Sequence, residues 1–197
     1  AYLACTRFTD EQVGRVLDAL DKSKYAKNTI VVLLSDHGFH LGEKARWAKQ
    51  SLWERSTHVP FIISLPDGLR GVKCARPVEL LSVFPTLIEL CNVQPRSQLE
   101  GASLVPLLVD PEAKWERPAI TTYGQNNHAV RTERWRYIRY YDGSEELYDH
   151  SVDTREWKNL AGDAQYDKVK RTLAKWLPTV NVPNAKVRRQ ETQSGRR

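Results

Sequence analysis

Thr29-Ile30-Val31-Val32-Leu33-Leu34-Ser35-Asp36-His37-Gly38 is the stretch on which the fold turns. Its first six residues form an apolar, β-branched run, and such a run suits a strand covered on both faces, as in a parallel sheet. Upstream, Thr9-Asp10-Glu11-Gln12 has the pattern of a capping box. Val13, Val16, Leu17 and Leu20 follow at helical spacing. The polar residues 22–27 end that helix, and helix then strand across a short link makes an α/β unit. Downstream, His58-Val59-Pro60-Phe61-Ile62-Ile63-Ser64-Leu65 reads as a second buried strand, closed by the turn Pro66-Asp67-Gly68. Ser82 is placed to cap a further helix with Pro85 in its first turn, and Phe84, Leu87, Ile88 and Cys91 line one face of it. Residues 1–110 therefore read as the later portion of a larger α/β domain.

The texture changes after Pro111. Short aromatic runs at Ala119 to Tyr123, Ala129 to Thr132 and Arg134 to Tyr141 are followed by the turn Asp142-Gly143 and by Glu146-Leu147-Tyr148. They predict a small antiparallel sheet. Val169, Leu173, Trp176 and Leu177 predict a closing amphipathic helix. Residues 111–180 thus form a small α+β subdomain, and residues 181–197 a basic, flexible tail.

Composition sets bounds on function. The chain has 197 residues, 41% hydrophobic and 27% charged, with net charge +6. That length holds one domain and a small addition. Much of the positive charge lies in residues 186–197, where a basic tail can attract polyanions. No nucleic-acid module accompanies it, so a solvated end is the simpler expectation and nucleic acid is not an expected partner. No apolar run approaches the roughly 20 residues of a membrane span. Cys5, Cys74 and Cys91 form neither a zinc-type pair nor a disulfide framework. With Ala1 first and no Met anywhere, sequence is expected upstream, where any leader would lie.

The candidate chemistry starts at Ser35-Asp36-His37-Gly38. In open α/β sheets ligands collect at the carboxyl ends of strands, and neither Asp36 nor His37 suits a core without a partner. Gly38 permits a sharp turn. The adjacent carboxylate and imidazole can approach one cation. An oxygen-rich set favours Ca²⁺ or Mg²⁺ and an imidazole-rich one a transition metal; the plainer alternative is a pair hydrogen-bonded within the turn. The polar loop from His40 to Glu54 is of the length that is usually functional. Lys49 offers a compact cation suited to a tetrahedral oxyanion, and Trp47 and His40 can wall a pocket. Taken singly, each is more simply a solvated lysine or a packed ring.

Ser35-Asp36-His37-Gly38, His40-Leu41-Gly42-Glu43, Trp47-Ala48-Lys49, Glu54 and Thr57-His58-Val59-Pro60-Phe61-Ile62, in this order, resemble the second signature region of the sulfatases, in the alkaline-phosphatase-like superfamily. The similarity is strongest to the iduronate-2-sulfatase and choline-sulfatase-like branch. Thr9-Asp10-Glu11-Gln12-Val13-Gly14, Phe84-Pro85-Thr86-Leu87, Arg131 through Ile138, Glu146-Leu147-Tyr148-Asp149 and Asn159-Leu160 extend it from Tyr2 to about Leu177. The resemblance implies a mixed sheet flanked by helices, with the small antiparallel sheet and terminal helix appended. It implies that Asp36 and His37 ligate Ca²⁺, with Mg²⁺ as the alternative, and that Lys49 contacts the sulfate ester and stabilises its departing oxygen. His40 and Trp47 fall where substrate-pocket residues lie. It further implies a sulfated small molecule or glycan as substrate, an extracytoplasmic location, and a formylglycine nucleophile made from Cys or Ser.

The motif for that nucleophile, Cys or Ser, any residue, Pro or Ala, any residue, Arg, is absent: residues 6–9, 75–78 and 92–95 after the three cysteines all fail it. The family's leading Asp-Asp metal pair is absent too. The chain is therefore expected to be a C-terminal part of a sulfatase, inactive alone and completed by an N-terminal remainder. The competing readings are a phosphate or phosphonate monoester hydrolase of the same superfamily, and a non-catalytic polyanion-binding fragment.

Overall fold

The computed structural model describes residues 1–185, and the basic stretch 186–197 lies outside the described residues. Two compact units alternate along the chain. Ala1–His37, Val59–Arg76 and Leu80–Trp115 form the first, and Gly38–His58, Pro77–Glu79 and the residues from Glu116 onward form the second.

In the first unit, helix α1 spans Tyr2–Asp21 and ends at Lys22. Its start differs from the capping-box expectation: Thr9 lies mid-helix, because the six residues Tyr2 to Arg7 upstream of Phe8 are helical as well, with Thr6 Oγ1 donating back to the Tyr2 carbonyl at 3.1 Å. None of its residues is fully buried. Strand β1 is Val31–Leu34 and β2 is Phe61–Ser64. They pair antiparallel, with Leu34 opposite Phe61 and Val31 opposite Ser64. The expectation of strands buried on both faces is corrected here. The chain leaves β1 and re-enters β2 at the same end, so the two strands are neighbours, and Leu33, Leu34 and Ile62 stay exposed.

The helix expected after Ser82 is present as α3, Val83–Leu90. Ser82 occupies the cap position without a side-chain cap bond; instead Thr86 Oγ1 donates to the Ser82 carbonyl at 2.5 Å and accepts from Leu104 N–H at 2.9 Å. Of the expected face only Ile88 is buried, while Phe84 and Cys91 are exposed.

The second unit contains the short helix α2, Glu54–Thr57, and a four-stranded antiparallel meander. Its strands are β3 Ala119–Thr122, β4 His128–Arg131, β5 Trp135–Arg139 and β6 Glu145–Asp149. The β5–β6 turn is the expected one: Gly143 takes φ +84, and Asp142 Oδ1 accepts from the Ser144 N–H at 2.9 Å. Val130, Tyr137 and Leu147 stand in one row across the sheet and pack on Ala161, Leu173 and Leu177. Leu173 lies in the closing helix α4, Asp167–Ala174. Ala129, Ile138 and Tyr148 face the other way and are covered by Leu52. Both faces of the central strands are therefore buried, and truncating Ile138 to Ala would cost about 2–5 kcal/mol. Together these helices and antiparallel sheets make the mixed α/β class expected.

Candidate functional site

In the first unit the end of β1 delivers Asp36 and His37. Ser35 N–H donates to the Pro60 carbonyl at 3.2 Å, which ties the turn to β2, and Ser35 Oγ donates to the His37 carbonyl at 2.9 Å. His37 Nε2 and Asp36 Oδ2 then lie 3.7 Å apart, and 84% of the Asp36 side chain is in solvent. Ligands bind a calcium ion at about 2.3–2.6 Å, so two ligand atoms at this separation are within reach of one ion. The pair fits as one part of a shell that takes six to eight donors.

Lys49, Trp47 and His40 belong to the second unit, in the loop from Gly38 to His58. Gly38 serves the loop by close approach, not by the sharp turn expected: a Cβ there would sit 2.0 Å from the Arg55 carbonyl oxygen, while Gly42 takes the left-handed backbone at φ +115. His40 N–H donates to the Ala48 carbonyl and Gly42 N–H to the Arg46 carbonyl, both at 3.0 Å. Arg46 Nη2 reaches the carbonyls of Lys49 and Gln50 at 3.1 Å each. Lys49 and Trp47 are exposed, Trp47 to 72%.

His40 differs from them. It has no exposed surface, its Nδ1 lies 3.3 Å from the Glu43 carbonyl and its Nε2 3.0 Å from Ser51 Oγ, and it packs edge-on to Trp53. Burial lowers its pKa from the ordinary 6.5, against the raising influence of the Glu43 carbonyl and carboxylate. In this unit His40 supports the loop from within.

The same unit also holds a buried charge cluster that no sequence motif marks. Arg131 and Arg136 are cross-strand partners on β4 and β5. Two like charges so placed repel, and Glu54 sits between them. Arg136 Nη2 and Arg131 Nε both bond Glu54 Oε2, the latter at 3.2 Å. Arg136 Nε lies 2.6 Å from Glu156 Oε1. His150 bridges the far side, with Nε2 3.0 Å from Glu156 Oε1 and Nδ1 2.9 Å from Arg131 Nη2. Burial pushes the Glu54 carboxyl up, but the His58 hydrogen bond and the charges of Arg136 and Arg131 outweigh it and hold it well below the carboxylate range. The one signal in the sequence was a pair of arginines in a strand-forming segment, since arginine is rarely buried unless paired.

Glu54, His150 and Glu156 also bring ligand-type atoms within 4.8 Å of one another. A divalent ion fits poorly there. The two guanidinium groups already balance the two carboxylates, and a metal would have to displace them from their bonds. The cluster is built as a buried ion-pair network.

Residues 1–93 match the family model described as Sulfatase. A curated sulfatase from Formosa agariphila is 48% identical over 182 residues, covering 92% of this chain and 36% of that protein. A structure solved with its substrate D-glucosamine-2-N,6-O-disulfate aligns at TM-score 0.76 and 30% identity, over 88% of this chain and 38% of the other. A phosphonate monoester hydrolase of Agrobacterium radiobacter aligns at TM-score 0.72 and 27% identity, over 84% and 37%. The chain spans about a third of the length of the curated relatives it matches.

Proposed function

We propose, for a chain that belongs to the sulfatase family, that the full-length protein hydrolyses sulfate monoesters on a sugar with the help of a divalent metal. The observation that carries this is the Asp36–His37 pair, 3.7 Å between ligand atoms at the end of β1, inside the stretch that matches the family. In this reading Asp36 and His37 hold Ca²⁺, which when bound neutralises charge on the sulfate oxygens. Lys49 offers its ammonium to the ester and to the oxygen that departs, a stabilisation realised as charge builds. Trp47, exposed on the same loop, supplies an apolar wall for the sugar. The nucleophile, a formylglycine in the family's chemistry, comes from residues outside these 197. The sugar as substrate class is supported by the D-glucosamine disulfate of the structural relative.

The proposal includes a division of the chain near residue 110 and an extracytoplasmic location. No helix among the described residues is long and apolar enough to cross a membrane.

Turnover by the full-length protein is the test. Sulfated glucosamines should be cleaved, the activity should fall with EGTA, and added Ca²⁺ should restore it. The likeness to a phosphonate monoester hydrolase favours one second reading. Phosphonate or phosphate ester turnover exceeding that of sulfate esters would replace the first reading with it.

A further inference from the structure

The loop carrying Lys49 is tied down at Lys44 before it and at Leu52, Trp53 and Glu54 after it. On the earlier side, the Lys44 ammonium donates to Tyr148 Oη at 3.0 Å and lies 4.8 Å from the ring centre of Trp53 and 4.6 Å from that of Tyr148. Glu146 on β6 gathers this cage: its Oε2 accepts from Trp53 Nε1 and from Tyr148 Oη, both at 2.6 Å, and its Oε1 from Tyr140 Oη at 3.1 Å. On the later side, Glu156 Oε2 accepts the Glu54 N–H at 2.9 Å, and Arg136 Nη1 donates to the Leu52 carbonyl at 2.9 Å.

Along this loop the backbone is strained. Lys44, Ala45 and Gln50 have φ of 53°, 53° and 61°, the left-handed region that side chains avoid. Glu156 itself is left-handed at φ 59° and almost fully buried. Such conformations cost on the order of 1–3 kcal/mol each and persist where the surroundings over-determine them. A loop needed only to join β1 to β2 would not require this outlay of strain and buried charge.

We propose that Glu146 and Glu156 are positioning residues for Lys49: Glu156 fixes the loop after it at Glu54, Glu146 fixes it at Trp53 and, through the Tyr148 hydroxyl, at Lys44 before it, and together they set where the ammonium stands. The inference rests on the reading of Lys49 as the group that meets the ester. These contacts lie before and after Lys49 in the chain, at Lys44 and at residues 52–54, so they fix the backbone that carries it. A displacement of about 1 Å at such a group costs about 100-fold in rate.

The test is a double-mutant cycle in the full-length protein, read with hydrogen exchange. Glu156→Gln should lower kcat by up to about 100-fold, and the amides of His40 and Gly42 should exchange faster. In a Lys49→Ala background the same substitution should cost nothing further, because it acts through the residue already removed. Tyr148→Phe keeps the ring and deletes only the hydroxyl, so it tests the other clamp even where Glu156→Gln does not fold. It should give a smaller loss, also absent in Lys49→Ala. Equal losses with and without Lys49, or unchanged exchange in the loop, would overturn the proposal. Lys49→Ala with undiminished turnover, alongside faster exchange in Glu156→Gln, would leave the clamp in place and instead remove Lys49 from the chemistry.

Discussion

At the end of β1 the Asp36 side chain keeps 84% of its surface in solvent, whereas Glu156 in the small sheet's ion network keeps 2%. The strands next to Asp36 leave Leu34 and Ile62 exposed, while Ile138 and Leu147 of the sheet are sealed completely. The contrast separates two uses of charge. A solvated carboxylate can exchange water for a metal ion at little cost. A buried one is expensive to leave unpaired, so it is committed to the partners that fold it in and serves geometry. The first region is suited to bind and the second to hold.

The largest effect expected is at the binding region. Asp36→Ala in the full-length protein should remove metal-dependent turnover and lower the bound metal measured by elemental analysis. Retained activity would break the contrast by showing that the exposed pair has no chemical task. Next comes the holding region. Arg136→Met should leave Glu54 and Glu156 buried without their shared cation and cost about 3–5 kcal/mol in urea unfolding. A cost below 1 kcal/mol would mean that the network is not what secures the sheet.

Lys49→Ala sharpens the division. It should lower kcat by about 10²–10³-fold while moving stability by no more than about 0.5 kcal/mol, as a surface substitution does. The mildest effect is on pH dependence. Glu54 is held below its unfolded value, near 4.3, so its contribution is present above that pH and is lost as pH falls toward the folded value. Unfolding followed by Trp fluorescence should show stability declining below about pH 4.3, and Glu54→Gln should flatten the slope there.

What was legible in the sequence follows the range of the forces involved. The meander was readable because aromatic alternation and the Asp142-Gly143 turn are local signals, and the closing helix because Val169 and Leu173 repeat on one face, although it ends at Ala174, short of the expected Trp176 and Leu177. The Asp36–His37 pair was readable because adjacency is covalent. The pairing of β1 with β2 was not. An apolar run says that a strand wants cover without saying which neighbour supplies it or in which direction. The ion network was hidden for the same reason: Glu54 and Arg136 are 82 residues apart, and two arginines in a strand-forming segment do not say which distant carboxylate will cover them. His40 looked like a pocket residue because its polarity is local, while its burial against Ser51 and Trp53 is a property of the folded loop.

The most direct measurement is anomalous diffraction from crystals of the full-length protein grown with calcium and sulfate. The expected result is an ion bound by Asp36 and His37, with Lys49 Nζ at hydrogen-bond distance from a bound sulfate. An ion found instead among Glu54, His150 and Glu156, or a sulfate bound with Lys49 turned away from it, would contradict the account.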